Sequence, residues 1–190
     1  MDLIIRKANL PDGRTGMDIG IKDGKISALE PSLSAKATEE IDASGKLVSP
    51  PFVDAHFHMD ATLSLGLPRL NQSGTLLEGI GLWGELKPHL TVEAIKERAL
   101  RYCDLAVARG LLAIRSHVDI CDPRLLAVDA LLEVRKEVAP YLDLQLVAFP
   151  QDGYLRDTGA AKLMETALDR GVDVVGGIPH FERTMDEGKK

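Results

Sequence analysis

Two imidazoles, His56 and His58, stand one apolar residue apart at the end of a run rich in strand formers, Phe52-Val53-Asp54-Ala55. In a strand, side chains alternate faces, so residues two apart point the same way and Phe57 points the other. Two imidazoles on one face suit a single metal ion, because neutral imidazole nitrogen is the commonest protein ligand for zinc and iron and is available near neutral pH. A His-x-His pair also arises by chance in loops and on sheet faces, so its neighbourhood has to decide. Three further segments place ionisable or amide groups just after apolar runs: His117 with Asp119, then Gln151, then His180 with Glu182.

The elements that must position these groups change character along the chain. Residues 2–10 read as a strand ended by Pro11-Asp12-Gly13, a turn in which Pro presets φ and Gly tolerates a positive one. Residues 17–22 and 25–29 flank Asp23-Gly24, a strong hairpin signal, so the pattern is a small antiparallel unit. Residues 40–48 add another strand and turn, and residues 1–50 are expected to be a β-module without helices, part of a composite β-sandwich. After the histidine pair the period becomes helical. The polar loop 71–75 precedes a helix over 76–86 despite Gly79, Gly81 and Gly84, which lower helix propensity. Thr91 is an N-cap candidate for a helix to about residue 109, with Ile95, Ala99, Tyr102 and Ala106 as its apolar stripe and Gly110 as its terminator.

Strand and helix then alternate: a strand over 111–119, a helix over 123–138, a strand over 143–149, a helix over 159–170 closed by Gly171, and a strand over 172–178. The nearly unbroken apolar run Leu144-Gln145-Leu146-Val147-Ala148-Phe149 points to strands covered on both faces, as in parallel α/β sheets. Counting the strand at 52–58, four β units each close with polar or ionisable residues. In a βα barrel the site gathers side chains from several strand ends, whereas a doubly wound sheet uses one switch point. The expected fold is therefore α/β, a (β/α)8 TIM-type barrel whose first four β/α units occupy residues 51–190. No Gly-x-Gly-x-x-Gly follows the first strand and no Gly-Lys-Ser/Thr phosphate loop is present, so neither a dinucleotide nor a nucleotide phosphate is indicated.

Composition narrows the class further. A hydrophobic fraction of 45% over 190 residues is ordinary for a folded, soluble protein. No apolar run approaches the roughly 20 residues of a membrane helix, and Met1-Asp2-Leu3 lacks the basic start of a secretory signal. A cytoplasmic protein with no membrane partner is expected. The net charge of −6 and the lack of any basic cluster longer than Lys189-Lys190 argue against nucleic acid as a partner. Two cysteines, Cys103 and Cys121, do not make a disulfide framework; both read as structural thiols. Trp83 and the leucines near it read as core or as subunit contact, with a homo-oligomer the expected state.

With these residues in view, the chain resembles the metal-dependent amidohydrolase superfamily and, within it, the cytosine deaminase branch. The superfamily likeness rests on Asp23-Gly24-Lys25-Ile26, on Ile41-Asp42-Ala43-Ser44-Gly45, and on Phe52-Val53-Asp54-Ala55-His56-Phe57-His58-Met59-Asp60. The narrower likeness rests on Asn71-Gln72-Ser73-Gly74-Thr75-Leu76-Leu77-Glu78-Gly79, His117-Val118-Asp119, Val147-Ala148-Phe149-Pro150-Gln151 and Ile178-Pro179-His180-Phe181-Glu182. The resemblance implies that His56 and His58 are the first two ligands of one divalent metal ion, Fe2+ or Zn2+. It implies that Gln151 hydrogen-bonds the amide edge of a pyrimidine-like ring while Leu76 packs near it; an amide both donates and accepts, as such an edge requires. The plainer role for Gln151 is a loop amide bonding its own backbone. By the same resemblance His117 lies near the pocket without binding metal. Asp54, Asp60 and Asp119 are expected to be strand-end hydrogen-bond acceptors, and a catalytic pairing of His180 with Glu182 is the less favoured reading. His89 is expected in solvent. Pro51 departs from the family, which commonly has Gly there, and stiffens the approach to the strand.

The same resemblance exposes a deficit. A β-module of about 50 residues leaves about 140 for the barrel, against about 250 in a complete one. The family's remaining ligands and its proton-carrying glutamate match no residue here, so no catalytic residue is assigned and those groups are expected beyond Lys190, in a longer deaminase. Hydrolytic deamination needs a metal-activated water and a carboxylate to move protons, and two imidazoles alone do not hold such an ion tightly. The leading expectation is a deaminase of cytosine or a related aminated heterocycle. The alternatives are an amidohydrolase that removes an alkylamine from a triazine, and a non-catalytic half-barrel acting as an assembly module.

Overall fold

In the computed structural model, which describes residues 1–190, the chain forms two units, Met1–Pro50 and Pro51–Lys190. In the first, β1 (Leu3–Ala8), β2 (Met17–Lys22), β3 (Lys25–Glu30) and β4 (Glu39–Asp42) make one four-stranded sheet in the order β3-β2-β1-β4. Asp23 and Gly24 turn the β2–β3 hairpin with φ of 52° and 71°, the positive values a two-residue type I′ turn demands. β4 pairs parallel to β1, so this sheet is mixed rather than wholly antiparallel. The crossing segment between β3 and β4 has no ladder of its own, and Arg6 supplies its partners. Its guanidinium donates to the Leu33 and Ala35 carbonyls at 2.7 and 3.0 Å, and to Asp18 and Glu40 at 2.8 Å each. Asp18 in turn accepts the Leu33 N–H at 3.0 Å.

The second unit is built on a parallel sheet in chain order: β5 (Phe52–Phe57), β6 (Leu111–Asp119), β7 (Asp143–Phe149) and β8 (Val174–Val175). Four helices accompany it, α1 (Leu76–Leu86), α2 (Val92–Val107), α3 (Leu126–Val138) and α4 (Ala160–Arg170). Ile114, Ser116 and Val118 of β6 and Leu144, Leu146 and Ala148 of β7 are buried. Their apolar members share one core with Ile95, Ala99 and Cys103 of α2 and with Val128, Leu131 and Val138 of α3. Cys103 is fully buried there, and burial pushes its thiol up to about 11. Truncating a side chain such as Leu131 in this core would cost about 2–5 kcal/mol.

On the opposite sheet face Arg115 and Gln145 are exposed and bonded to each other at 2.6 Å. Helices thus cover one face of the sheet within these residues, whereas the apolar run 144–149 reads as covered on both. The run divides its apolar residues between two purposes: Leu144, Leu146 and Ala148 face helices, and Phe149 faces the histidines.

Local chemistry sets most boundaries. Thr91 caps α2 by accepting the Ala94 N–H at 3.1 Å, and Gly110, at φ 79°, allows the turn into β6. α3 begins at Leu126 rather than near Pro123, because Asp122 takes the Arg124 N–H at 3.0 Å and Leu125 is left-handed at φ 53°. β8 is two residues long instead of spanning 172–178. Val174 and Val175 pair with Val147 and Ala148 of β7, the Gly176 N–H still donates to the Ala148 carbonyl at 2.8 Å, and Gly176 approaches β7 too closely for a side chain. A Cβ on Gly176 would lie 2.7 Å from Val147 Cγ1 and 2.8 Å from the Ala148 carbonyl oxygen. No helix is long and apolar enough to cross a membrane.

Candidate active site at the strand ends

At the C-terminal ends of the parallel strands lies a cavity of about 370 Å³. His56, His58 and Asp60 reach it from the end of β5, Phe149 and Gln151 from the end of β7, and Ile178 and His180 from beyond β8. α1 contributes Leu76, Gly79, Ile80 and Trp83, an i, i+3, i+4, i+7 stripe along one helix face. The helix buries Leu82 and Leu86 on another face, so α1 has one side for the core and one for the cavity. Leu76 sits at the mouth, 74% exposed.

The two sequence-singled imidazoles do come together, with ring centroids 5.4 Å apart and planes at 67°. A third joins them: His117 lies 4.0 Å from His56 and 5.5 Å from His58. Phe149 meets both His58 and His117 edge-on at 5.4 Å. Burial pushes the His58 pKa down to about 4, and the neighbouring His117 and His56 add to that. Burial and His56 also lower His117. At His58 and His117 the imidazolium form is therefore disfavoured, which keeps their ring nitrogens available as lone-pair donors. His117 Nδ1 is buried with no hydrogen-bond partner. No group of three His, Cys, Asp or Glu side chains is arranged to hold a metal ion, so the donor set fits a share of a metal site and not a whole one.

The end of β5 is held by bonds to its neighbours. Ser116 Oγ accepts the Met59 N–H at 2.9 Å in a buried position, and Asp54 accepts the His56 N–H at 3.1 Å. Asp60 is 1% exposed and accepts the Asp119 and Ala61 N–H groups at 2.8 and 2.9 Å. Burial pushes its carboxyl up to about 7, against the pull of the Asp119 N–H. Arg98 of α2 donates to the Asp60 and Thr62 carbonyls at 2.9 and 3.0 Å. Asp60 and Asp119, which accepts the Cys121 N–H at 2.8 Å, are thus hydrogen-bond acceptors at strand ends, whereas Asp54 accepts from within β5.

The loop before α1 is organised by Glu78. Thr75 accepts the Glu78 N–H at 3.3 Å, while the Glu78 carboxylate accepts from the Ser73 hydroxyl and N–H, the Gln72 N–H and Arg69 at 2.5–3.0 Å. The Ser73 hydroxyl, with these N–H donors and Arg69, holds its pKa down at about 2. The Thr75 cap and the loop pinned by Glu78 together support the helix start despite the three glycines.

Other groups fall outside the cavity. Glu182 accepts the Tyr154, Leu155 and Arg156 N–H groups at 2.6, 3.2 and 2.9 Å, so its carboxylate anchors a loop, while its motif neighbour His180 lines the cavity. His89 is exposed. Cys121 is half-buried, its thiol raised by burial, and accepts the Asp152 N–H at 3.4 Å. Trp83, read from sequence as core or subunit contact, packs against the core and also lines the cavity. Its seven-residue spacing from Leu76 was the available signal for that placement.

The fold and these strand ends coincide with a known family. The family model described as "Amidohydrolase family" matches residues 39–185, and the chain belongs to that family. It is 42% identical to a 5-methylcytosine deaminase from Klebsiella pneumoniae whose structure was solved with 5-fluorocytosine. The TM-score is 0.91, over 97% of this chain and 45% of that one. It is 36% identical over 186 residues to N-isopropylammelide isopropyl amidohydrolase of Pseudomonas sp. strain ADP, covering 93% of this chain and 45% of the relative. A structure of N-isopropylammelide isopropylaminohydrolase from Burkholderia multivorans ATCC 17616 matches at 28% identity and TM-score 0.76, over 93% and 45% of the two chains. The chain thus spans about half the length of the relatives it matches.

Proposed function

We propose that the protein is a metal-dependent hydrolase that deaminates cytosine or a related aminated pyrimidine-like heterocycle and releases ammonia. The observation that carries this reading is the cavity in which His56, His58, Gln151 and Leu76 converge from β5, β7 and α1. His56 and His58 would hold one divalent iron or zinc ion, which supplies Lewis-acid activation of the water that adds to the ring carbon bearing the amine. Gln151 donates and accepts along the ring's amide edge. Leu76 closes over the ring at the mouth, and Phe149 excludes water from the histidines. The reading requires further ligands and a proton-moving carboxylate in addition to the groups in these 190 residues, because no third ligand is in place.

Architecture supports the same view. Residues 51–190 serve as the first four units of a (β/α)8 barrel, and residues 1–50 as one sheet of a composite β-sandwich. Both outer strands of the parallel sheet have a free edge, and Phe52, Val53 and Val175 there are 67%, 68% and 62% exposed. Apolar strand edges of this kind ordinarily have partners.

A second reading, removal of an alkylamine from a triazine, is favoured by the 36% identity over 186 residues to the N-isopropylammelide enzyme. The 42% identity and higher TM-score to the 5-methylcytosine deaminase favour the first. Metal-loaded protein that carries those further ligands and the carboxylate, assayed with cytosine, 5-methylcytosine, isocytosine, creatinine and N-isopropylammelide, separates them. Ammonia from the pyrimidines is expected; isopropylamine without ammonia selects the triazine reading, and no product together with no bound metal overturns both in favour of an assembly module.

A further inference from the structure

Trp83 is the one tryptophan of these 190 residues, and its indole is fixed by a buried carboxylate that does not itself line the cavity. Trp83 Nε1 donates to Asp119 Oδ2 at 2.6 Å, and Asp119 is 3% exposed. The same carboxylate accepts from Lys87 Nζ at 3.1 Å and from the Cys121 N–H at 2.8 Å. The Asp119 N–H donates to Asp60 at 2.8 Å. Lys87, one turn beyond Trp83, also reaches Asp152 at 2.5 Å, next to Gln151. The Asp119 carboxylate therefore ties two successive turns of the α1 segment to the end of β6, while Lys87 extends the tie to the end of β7 and the Asp119 N–H extends it to the end of β5.

This anchoring matters because α1 is intrinsically soft. Gly79, Gly81 and Gly84 surround Trp83, and each lowers helix stability relative to alanine. An indole has a single N–H donor, and a half-buried ring takes the orientation that satisfies it. With the N–H committed to Asp119, the rest of the flat ring is left as a cavity wall.

We propose that Asp119 is a positioning residue that fixes the Trp83 indole as one wall of the cavity, so that the cavity selects planar heterocycles of one size without Asp119 touching them. The proposal rests on the heterocycle-hydrolase reading for its substrate class. The placement of Trp83 can be tested without any substrate.

Three variants test it: Asp119→Ala removes the acceptor, Asp119→Asn keeps an acceptor and the shape but removes the charge on which Lys87 relies, and Trp83→Phe keeps a ring without the donor. In ligand-free protein, Trp83 emission, taken as the difference from Trp83→Phe, shifts to longer wavelength in Asp119→Ala and less in Asp119→Asn. With the best substrate of the panel, Asp119→Ala and Trp83→Phe each raise KM about tenfold, the equivalent of one charge-assisted hydrogen bond, while kcat changes less than about threefold. Should Asp119→Ala lose its cooperative urea transition, the other two variants decide the matter alone. Wild-type emission in Asp119→Asn with wild-type KM in Trp83→Phe overturns the proposal, as does a loss confined to kcat. If the wild-type protein turns over nothing in the panel, the functional reading falls, and the ligand-free emission still decides whether Asp119 positions Trp83.

Discussion

Replacing Ser116 by alanine removes one oxygen atom from the fully buried interior beneath the histidine cluster. Ser116 and Met59 are both 0% exposed, and the serine hydroxyl accepts the Met59 N–H at 2.9 Å. Alanine leaves that N–H buried without a partner, which costs about 1–3 kcal/mol. The void left behind is smaller than a methyl group, so packing adds little. For a domain of this size, with a urea m-value of about 2 kcal/mol per molar, a loss near 2 kcal/mol lowers the unfolding midpoint by about 1 M. Trp83 lies in the same unit, so its fluorescence follows this transition without interference from residues 1–50. Thr166→Ala is the matched control: its hydroxyl bonds the Lys162 carbonyl at 2.8 Å on the exposed side of α4, and its loss should stay within about 0.5 kcal/mol. A Ser116→Ala midpoint equal to that of the control would refute the reasoning. Because Met59 follows His58 directly, the same variant should also retain less metal than the wild type.

Three further outcomes are expected. Gly176→Ala forces a Cβ to within 2.7 Å of Val147 Cγ1 and should cost about 1–3 kcal/mol by urea unfolding. Gly177→Ala meets nothing within 4 Å, so equal losses in the two would show that the close approach is not the cause. Glu78 has its pKa lowered to about 2, so its contribution is complete above the unfolded value of about 4.3 and disappears as pH falls through the folded one. The midpoint gap between wild type and Glu78→Gln should accordingly close between those values; a gap independent of pH would contradict the cap. His56→Ala and His58→Ala should each lower the iron or zinc bound per chain, read by plasma emission spectrometry, and undiminished metal in either would remove that histidine from the ligand set.

Where periodicity and end signals were strong, the chain could be read directly. α1 occupies residues 76–86, β6 residues 111–119 and β7 residues 143–149, because caps such as Thr91 and turns such as Asp23-Gly24 act over only a few residues. Where an element depends on distant partners the reading was poorer. β8 shrank to two residues because its length is decided by the close approach of Gly176 to β7, and α3 began late because Asp122 and Leu125 make a turn that apolar spacing does not announce.

The candidate site divides the same way. The sequence by itself determined that His56 and His58 would share a face, since a strand alternates with a period of two, and that four strand ends would carry polar groups toward one end of a parallel sheet. Only the tertiary structure decided which groups meet. It set His117 against His56 at 4.0 Å, committed Glu182 to three backbone N–H groups, and turned Trp83 to the cavity through Asp119, 36 residues away. Local periodicity states which face a side chain leaves from; what it meets there depends on packing between elements far apart in the chain.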